Sequence, residues 1–413
     1  MQDVTFSAML NRMPKLTRLC AIAMRVVVAC ACLLGAWSSL KIARADRLFR
    51  QDSADAIRSA IVLAPDNSAY FMRLAQLDES HAVELLRTAL RLDNYNAQAD
   101  IELGLQYEAG GDPSHAEMLL LQAAAIDHTY LPRWSLANFY LRHDNIPAFW
   151  IWARSAAEMP GDDVGALFEL CWRVSPDPDR IAANILNDDP QLLRQYLEFL
   201  LGKGQLQAAT GAALRLVRDE GPETDRERMF LVVNQLVDAN YATEANELWH
   251  QMIQDRWVVA ETTPPNNRLF SRIPQPVSFD WALSSYDGLH SWPGPNGLET
   301  EFTGEEPESC TFAEQTVVLE PGNYILKSPY LTNGIEPDTG IRWQIVDARS
   351  NAVLAESSDL SSDTQQQLQL AFSVAPGNSL VRLRLVYKRS LGTTRIAGTL
   401  VIPSIEIQSL AHL

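Results

Sequence analysis

Two periodicities divide the chain. Over residues 52–256, apolar and small residues recur every three to four positions, the spacing of one helix face. Over residues 278–408 they alternate every second position, the spacing of a half-buried strand. The first regime is clearest at residues 96–130. There Leu103, Gly104 and Tyr107 share one helical face, Gly110-Gly111-Asp112-Pro113 forms a turn, and Ala116, Leu120 and Ala123 recur along a second helix. Small residues at Gly104 and Ala116 allow the two helices to approach closely. The motif propagates. Pro65, Asn94, His128, Pro160, Pro190 and Pro222 close successive units at gaps of 29, 34, 32, 30 and 32 residues. Each follows a helical run with small residues inside: Ala56 and Ala60, Ala82 and Ala89, Ala116 and Ala123, Ala148 and Ala156, Ala182 and Ala183, Ala209 and Ala213. A last helix pair is predicted at 230–239 and 244–254.

Between the regimes, residues 257–277 carry Pro264, Pro265, Pro274 and Pro276, which predicts an extended linker. Beyond it, Leu368, Leu370, Phe372 and Val374 alternate with polar or small residues. Val381, Leu383, Leu385 and Tyr387 do the same, as do Ile396, Gly398, Leu400 and Ile402. One face is apolar and the other largely polar, as in antiparallel strands. Glu320-Pro321-Gly322-Asn323 and Ala375-Pro376-Gly377-Asn378 each predict a type II turn, with proline at its second position and glycine at the third. Six to nine short strands over ~130 residues predict a β-sandwich.

The Leu-Gly-x-x-Tyr, Ala, Ala order around Gly104 resembles a tetratricopeptide (TPR) unit, whose period is ~34 residues. Trp134 stands 34 residues after Asp100, where that family often has tryptophan. The resemblance covers about half the chain and weakens after Pro160. It implies an α-solenoid whose concave surface holds protein segments. The Phe279-Asp280-Trp281 start, the strand-Pro-Gly-Asn-strand hairpin and the late basic strand look like jelly-roll, galactose-binding-like modules. That similarity is one of general organisation and implies a carbohydrate-binding-type sandwich. The expected fold is therefore α + β and multidomain: a basic tail at 1–18, a transmembrane helix or signal-anchor at 19–40, a TPR-like solenoid at 46–256, the linker, and an antiparallel jelly-roll sandwich at 278–413.

Residues 19–40 are apolar over about 22 positions, interrupted by Arg25, which suits one membrane span of ~20 residues. Two other readings stay open. A cleaved signal peptide would use Ala43-Arg44-Ala45 as its cleavage site, although Lys41 and Arg44 make that region unusually basic. A buried core helix is the other. The first 50 residues hold eight basic and two acidic residues, a net +6, while the whole chain carries −17, which leaves −23 on the remainder. Such a body is repelled by phosphate backbones, so no nucleic-acid partner is expected. Basic residues flank both ends of the apolar run, so charge asymmetry nearly ties on orientation. The short tail and acidic body favour a single-pass inner-membrane protein with its body in the periplasm; the alternative is a soluble periplasmic form after cleavage.

Candidate chemistry is sparse. The five cysteines show no CxxC pair, and His81, His115, His128, His143, His250, His290 and His412 form no metal-ligand motif. No cofactor, metal or catalytic set is expected. The acidic pairs Asp162-Asp163 and Asp188-Asp189 precede helices and read as dipole-complementing N-termini. Glu305, Glu306 and Glu308 read as a solvated acidic loop. Aromatic residues are the remaining binding candidates: Tyr107, Trp134, Tyr140 and Trp150 in the solenoid, and Tyr286, Trp292 and Tyr330 near sandwich loops. For each, ordinary packing is the competing reading, and Trp343 shares a core face with Ile341 and Ile345. The predicted role is a non-catalytic, membrane-anchored scaffold that binds protein partners in a bacterial envelope or surface-polysaccharide assembly complex. The alternatives are a carbohydrate-binding protein that uses the sandwich, and an enzyme with an interdomain site.

Overall fold

A computed structural model describes residues 13–159, 164–219, 221–377, 379–390 and 392–410. Pro160, Asp162-Asp163, Asn378, His412 and most of the basic tail lie outside the described residues. Cα packing divides the chain into two compact units, residues 1–162 and 163–413.

The first unit is a TPR-like solenoid of antiparallel helices led by one long helix: α1 (Met13–Phe49), α2 (Ala54–Leu63), α3 (Ser68–Leu77), α4 (Ala82–Leu92), α5 (Ala97–Ala109), α6 (Pro113–Ile126), α7 (Tyr130–Arg142) and α8 (Ile146–Ala157). Local chemistry sets the boundaries. The side chains of Asn96, Asp112 and Asn145 accept backbone N–H groups at the starts of α5, α6 and α8, and Pro113 occupies the first turn of α6. Apolar stripes then pair the helices. Gly104 and Ala116 meet as the spacing predicts: a Cβ on Gly104 would lie 3.3 Å from the Ala116 carbonyl oxygen and 3.3 Å from Leu120 Cγ.

Helix α1 is long and apolar enough to cross a membrane, and its residues 22–44 are exposed. It does not end where the apolar run ends. Ala45 is fully buried with Ile57, Ala60, Tyr70 and Leu74, while Leu48 and Phe49 pack on the same cluster. The Tyr70 hydroxyl donates to Asp46 at 2.5 Å. The last turns of α1 are thus the first helix of the first repeat.

Asp100, the residue in the position often held by tryptophan, is fully buried on α5, and neither carboxylate oxygen has a hydrogen-bond partner. Burial raises its pKa from 3.8 to about 6.

In the second unit the pairing continues through α9 (Gly165–Val174), α10 (Pro178–Ile185), α11 (Pro190–Gly202), α12 (Leu206–Asp219), α13 (Pro222–Asp238) and α14 (Ala242–Gln254). Pro190 and Pro222 open helices here rather than close units, because proline is preorganised for the first turn. Asp189 caps α11 by accepting from the Gln191 N–H at 2.9 Å. The last pair begins at Pro222, earlier than the apolar pattern suggests, because its first turns are polar.

The chain then forms two antiparallel sheets. One has the order β1 (Ala282–Leu283), β4 (Ser309–Val318), β9 (Leu380–Lys388), β6 (Ile341–Asp347), β7 (Val353–Glu356). The other runs β11 (Glu406–Ser409), β5 (Gly322–Asn333), β10 (Ala397–Ile402), β3 (Gly297–Thr303), β2 (Leu289–Gly294), with β8 (Gln366–Val374) also on β5. Their inner faces share a core that includes Trp281, Trp343, Phe302, Phe312 and Tyr387. The alternating residues of β8 and β9 supply it as predicted. Eleven strands stand among the described residues, more than the pattern suggested, because short edge strands carry little alternation. Gly377 takes φ +88°, whereas Gly322 does not take a positive φ: it is already in β5, opposite Val374.

Two expectations change. Residues 257–277 are not an extended linker. Trp257, Asn266, Asn267, Phe270 and Val277 are buried. Trp257 donates to the Val217 carbonyl at 3.0 Å, and Gln315, facing inward from β4, accepts from Asn266 N–H at 3.0 Å and donates to its carbonyl at 2.9 Å. Glu306 is not in a solvated acidic loop. It is fully buried, and its carboxylate accepts the N–H groups of Gly304 at 3.1 Å and Ile396 at 2.9 Å.

Two measurements test this packing. Gly104→Leu should destabilise the full chain in detergent by ~1–3 kcal/mol through overpacking. Gly104→Ala should lie near wild type, since its ~1 kcal/mol gain in helix propensity offsets a contact closed by tenths of an ångström. Equal melting temperatures for both variants would remove Gly104 from the interface. Asp100 sets a pH dependence: its raised pKa means the fold favours the protonated form, so its stability is fully present below 3.8 and is lost as pH rises to about 6. The loss is on the order of 3 kcal/mol for a shift of about two units. Asp100→Asn, which stays neutral, should melt higher than wild type at about pH 8 and lose that advantage near pH 4.

Candidate binding cleft

In the second unit, the end of α13, residues 273–278 and the rim of the sandwich enclose a cleft of about 570 Å³. Asn234 and Asp238 contribute from α13, which reaches them because its helix runs to Asp238. Gln275 contributes from the proline-rich strap. Glu314, Thr316 and Arg382 come from the outward face of β4 and β9, where strand alternation points them away from the core. Trp292 stands on β2, an edge strand opposite Glu299 on β3, and is 39% exposed. Apart from Trp37 on α1, no other tryptophan among the described residues is exposed to this degree.

Hydrogen bonds fix the walls. Asn234 donates to the Pro276 carbonyl at 3.2 Å and accepts from the Ser278 N–H at 2.7 Å and hydroxyl at 2.9 Å. Asp280, buried beside the cleft, accepts from Arg272, from Gln275 N–H at 2.9 Å and from Trp281 N–H at 2.8 Å. Glu314 is paired with Arg384, and Arg382 donates to Asn351 at 3.0 Å. Gln275 Oε1 and Trp281 Nε1 are buried without a hydrogen-bond partner, one acceptor and one donor at the same cleft. Buried polar groups are rarely left in this state. The lining therefore combines one exposed indole with carboxylate, guanidinium, amide and hydroxyl groups. That set suits a ligand carrying both apolar C–H faces and hydroxyls.

A smaller cavity of about 160 Å³ lies between α14 and the strap, lined by Trp249, His250, Glu261, Asn266, Phe279 and Glu320. Asn266 Nδ2 is buried there without a partner. No group of three His, Cys, Asp or Glu among the described residues is placed to hold a metal.

The other aromatic candidates are largely engaged. Tyr107 is half-buried, stacked on His115 with centroids 5.3 Å apart and bonded to Arg87. Trp134 is half-buried and stacks on Tyr130 at 5.8 Å. Tyr140 is 8% exposed and donates to Glu117 at 2.6 Å; burial, reinforced by that carboxylate, pushes its pKa up to about 12. Trp150 is buried edge-on to Phe149 at 5.0 Å. Tyr286 donates to the Thr311 carbonyl at 3.1 Å, and Tyr330 packs on the sandwich core. Only Trp292 of the seven lines the cleft. Asp238, Gln275, Glu314 and Arg382 were not apparent from the sequence. The alternation of β9 marks Arg382 as outward-facing, but nothing local signals that the strap brings these residues together.

No family profile and no curated protein matches the chain. Among solved structures it is similar to YrrB, "a TPR protein with an unusual peptide-binding site", with 15% identity and a TM-score of 0.25 over 49% of this chain and 94% of that one. It is also similar to PilW, "widely conserved type IV pilus biogenesis factor", with 15% identity and a TM-score of 0.29 over 44% of this chain and 93% of that one. A structure described as "CBM4 structure and function" matches 31% of this chain and 94% of its own at 13% identity and a TM-score of 0.24.

Trp292→Ala should leave the melting temperature of the full chain close to wild type, because the ring is partly solvated and lies outside the shared core. A drop of the size seen for core truncations, ~3–5 kcal/mol, would show that the ring is structural and remove it from the site.

Proposed function

We propose that this chain is a single-pass, membrane-anchored scaffold. In this reading the body lies outside the cytoplasm, with the solenoid over 46–256 and the sandwich over 278–413 as its working parts. The observation that carries it is the continuity of α1. An apolar, exposed helix of membrane-crossing length runs without a break into the core of the first repeat at Ala45. An exposed apolar run of this length is strongly disfavoured in water and matches a bilayer core. The same continuity argues against cleavage after Ala45. Cutting there would require unwinding a helix and would strip Ala45 from the cluster around Tyr70 and Leu74. The TPR-like helix pairs support a role in holding protein segments, and an envelope or surface-polysaccharide assembly complex is the setting that fits an anchor, a solenoid and a sandwich in one chain.

A second reading is favoured by the cleft around Trp292: the sandwich binds carbohydrate, the indole stacking on a sugar face while the polar wall takes hydroxyls. The two readings are compatible. The folded Trp292→Ala chain separates them, since it should lose retardation in polysaccharide gels but keep its protein partners.

The anchor is tested directly. The full-length protein should fractionate with membranes, its mass should show no species starting at Asp46, and a reporter enzyme active only outside the cytoplasm should work when fused after Leu413. Deleting residues 1–40 should release the protein into solution. A soluble full-length chain with a silent reporter would overturn the anchor.

A further inference from the structure

The junction of α1 with the first repeat places more than the anchor at the bilayer. Residues 50–53 join α1 to α2 in a tight turn, and Ile57, Ala60, Ile61 and Leu63 of α2 pack on the cluster formed with Ala45, Leu48 and Phe49. Helices joined this way run antiparallel. The ten residues of α2 cover roughly 15 Å, so its last turn returns to about the level of Leu40 on α1. Leu40 is where the apolar run ends. From Leu40 to the first core residue, Ala45, the helix rises only about 7.5 Å. The headgroup layer on each side of a bilayer is roughly 5–8 Å deep. No space remains between membrane and solenoid.

The surface at that level fits the position. Val62, on the last turn of α2, is 79% exposed, and Ile42 is 53% exposed. Lys41, Arg44 and Arg47 are exposed around α1, against one acid, Asp66, in the loop after α2. The other acids of the hairpin are turned away or engaged: Asp52 pairs with Arg73 at 2.6 Å, Asp55 with Arg58 at 2.9 Å, and Asp46 accepts from Tyr70. A collar of cations beside exposed aliphatic side chains is what a phospholipid interface accommodates, phosphates outside and acyl chains inside.

We propose that the first helical hairpin is seated in the phospholipid headgroup layer, with Lys41, Arg44 and Arg47 on lipid phosphates and Val62 at the acyl boundary. The inference rests on α1 being the membrane anchor. It goes beyond anchoring, because it makes the first repeat part of the membrane contact and fixes the start of the solenoid at the bilayer rather than on a tether.

The test uses the full chain in vesicles of phosphatidylcholine and phosphatidylglycerol, with brominated acyl chains as quencher and an environment-sensitive fluorophore on a single cysteine. Three chains are compared, with every other cysteine replaced by alanine. The first keeps native Cys32, within the span; the second carries Val62→Cys; the third carries Asp55→Cys, at the turn end of α2. The expected result is loss of fluorescence at Cys32 and at position 62, and none at position 55. Quenching at Cys32 with position 62 indistinguishable from 55 would overturn the seated hairpin while leaving the anchor intact. No quenching at Cys32 would overturn the anchor and this inference with it. As a second variant, Gly-Ser-Gly-Ser inserted after Ile42 should keep the loss at Cys32 and abolish it at position 62. Unchanged quenching at 62 in that variant would overturn the claim that helix continuity holds the hairpin in place.

Discussion

Two helices can close on each other only as far as the side chains between them permit, and in the first unit those side chains are small. Ala45, Ala60, Gly104 and Ala116 are all at contacts between neighbouring helices, and all are buried. Their close approach lets short helices of ten to fourteen residues bury apolar clusters between neighbours, one around Ala45, Ile57 and Tyr70 and another around Leu86, Leu103 and Leu119. Isolated helices of this length are marginal in water, so their persistence depends on that burial. The same constraint determines what becomes of the N-terminal segment. An alanine of α1, Ala45, sits in the first of these contacts, so the last turns of the apolar helix form the outermost member of the array.

The second unit solves a different problem. Each proline of the strap removes an N–H donor, but each buried carbonyl must still find a partner. Two side-chain amides anchor the segment at two points: Gln315 from the sandwich holds Asn266 through both its N–H and its carbonyl, and Asn234 from α13 donates to the Pro276 carbonyl and accepts from the Ser278 N–H. The strap is thereby tied to a helix and to a sheet, and the cleft with Trp292 is the space left beside it. Polar atoms without partners concentrate here. Asn266, Asn267, Arg272, Gln275 and Trp281 each carry one. A seam of this composition is specific in shape but costs stability unless water or a ligand completes it.

The helical half was legible in the chain because its signal is local. Gly104, Ala116 and the turn at Gly110-Gly111-Asp112-Pro113 lie within a few tens of residues, and the alternation of β8 and β9 is equally local. Failures occurred where a residue's surroundings come from far along the chain. Glu306 reads as a surface acid until Ile396 is folded onto it, ninety positions away. The strap reads as a linker because prolines usually mean one, and only Gln315 and Asn234 show otherwise. Trp292 stands out in the sequence as a tryptophan in a turn-rich stretch, whereas Asp238 and Arg382 read there as ordinary surface charges, and only the fold places them along the same cleft. Asp100 gave no warning of its burial, since its register position, not its chemistry, decides where it points.

The sandwich also has a temporal order built into its registers. Strand β3 pairs with β10, Thr303 facing Ala397, and β4 pairs with β9, Ser309 facing Lys388. The helix hairpins upstream find their partners within a few dozen residues and can consolidate as they leave the ribosome or a translocation pore, because nearby contacts cost little chain entropy to close. The sheets cannot. Until β9 and β10 have emerged, β3, β4 and β5 present open edges and an uncovered apolar face, the condition in which strands recruit the wrong partner. A nascent chain of this protein therefore spends its final stretch of synthesis half finished: a completed helical portion, and after it a sheet waiting for strands not yet made. The exposure to mispairing is greatest in that interval and at that end of the molecule.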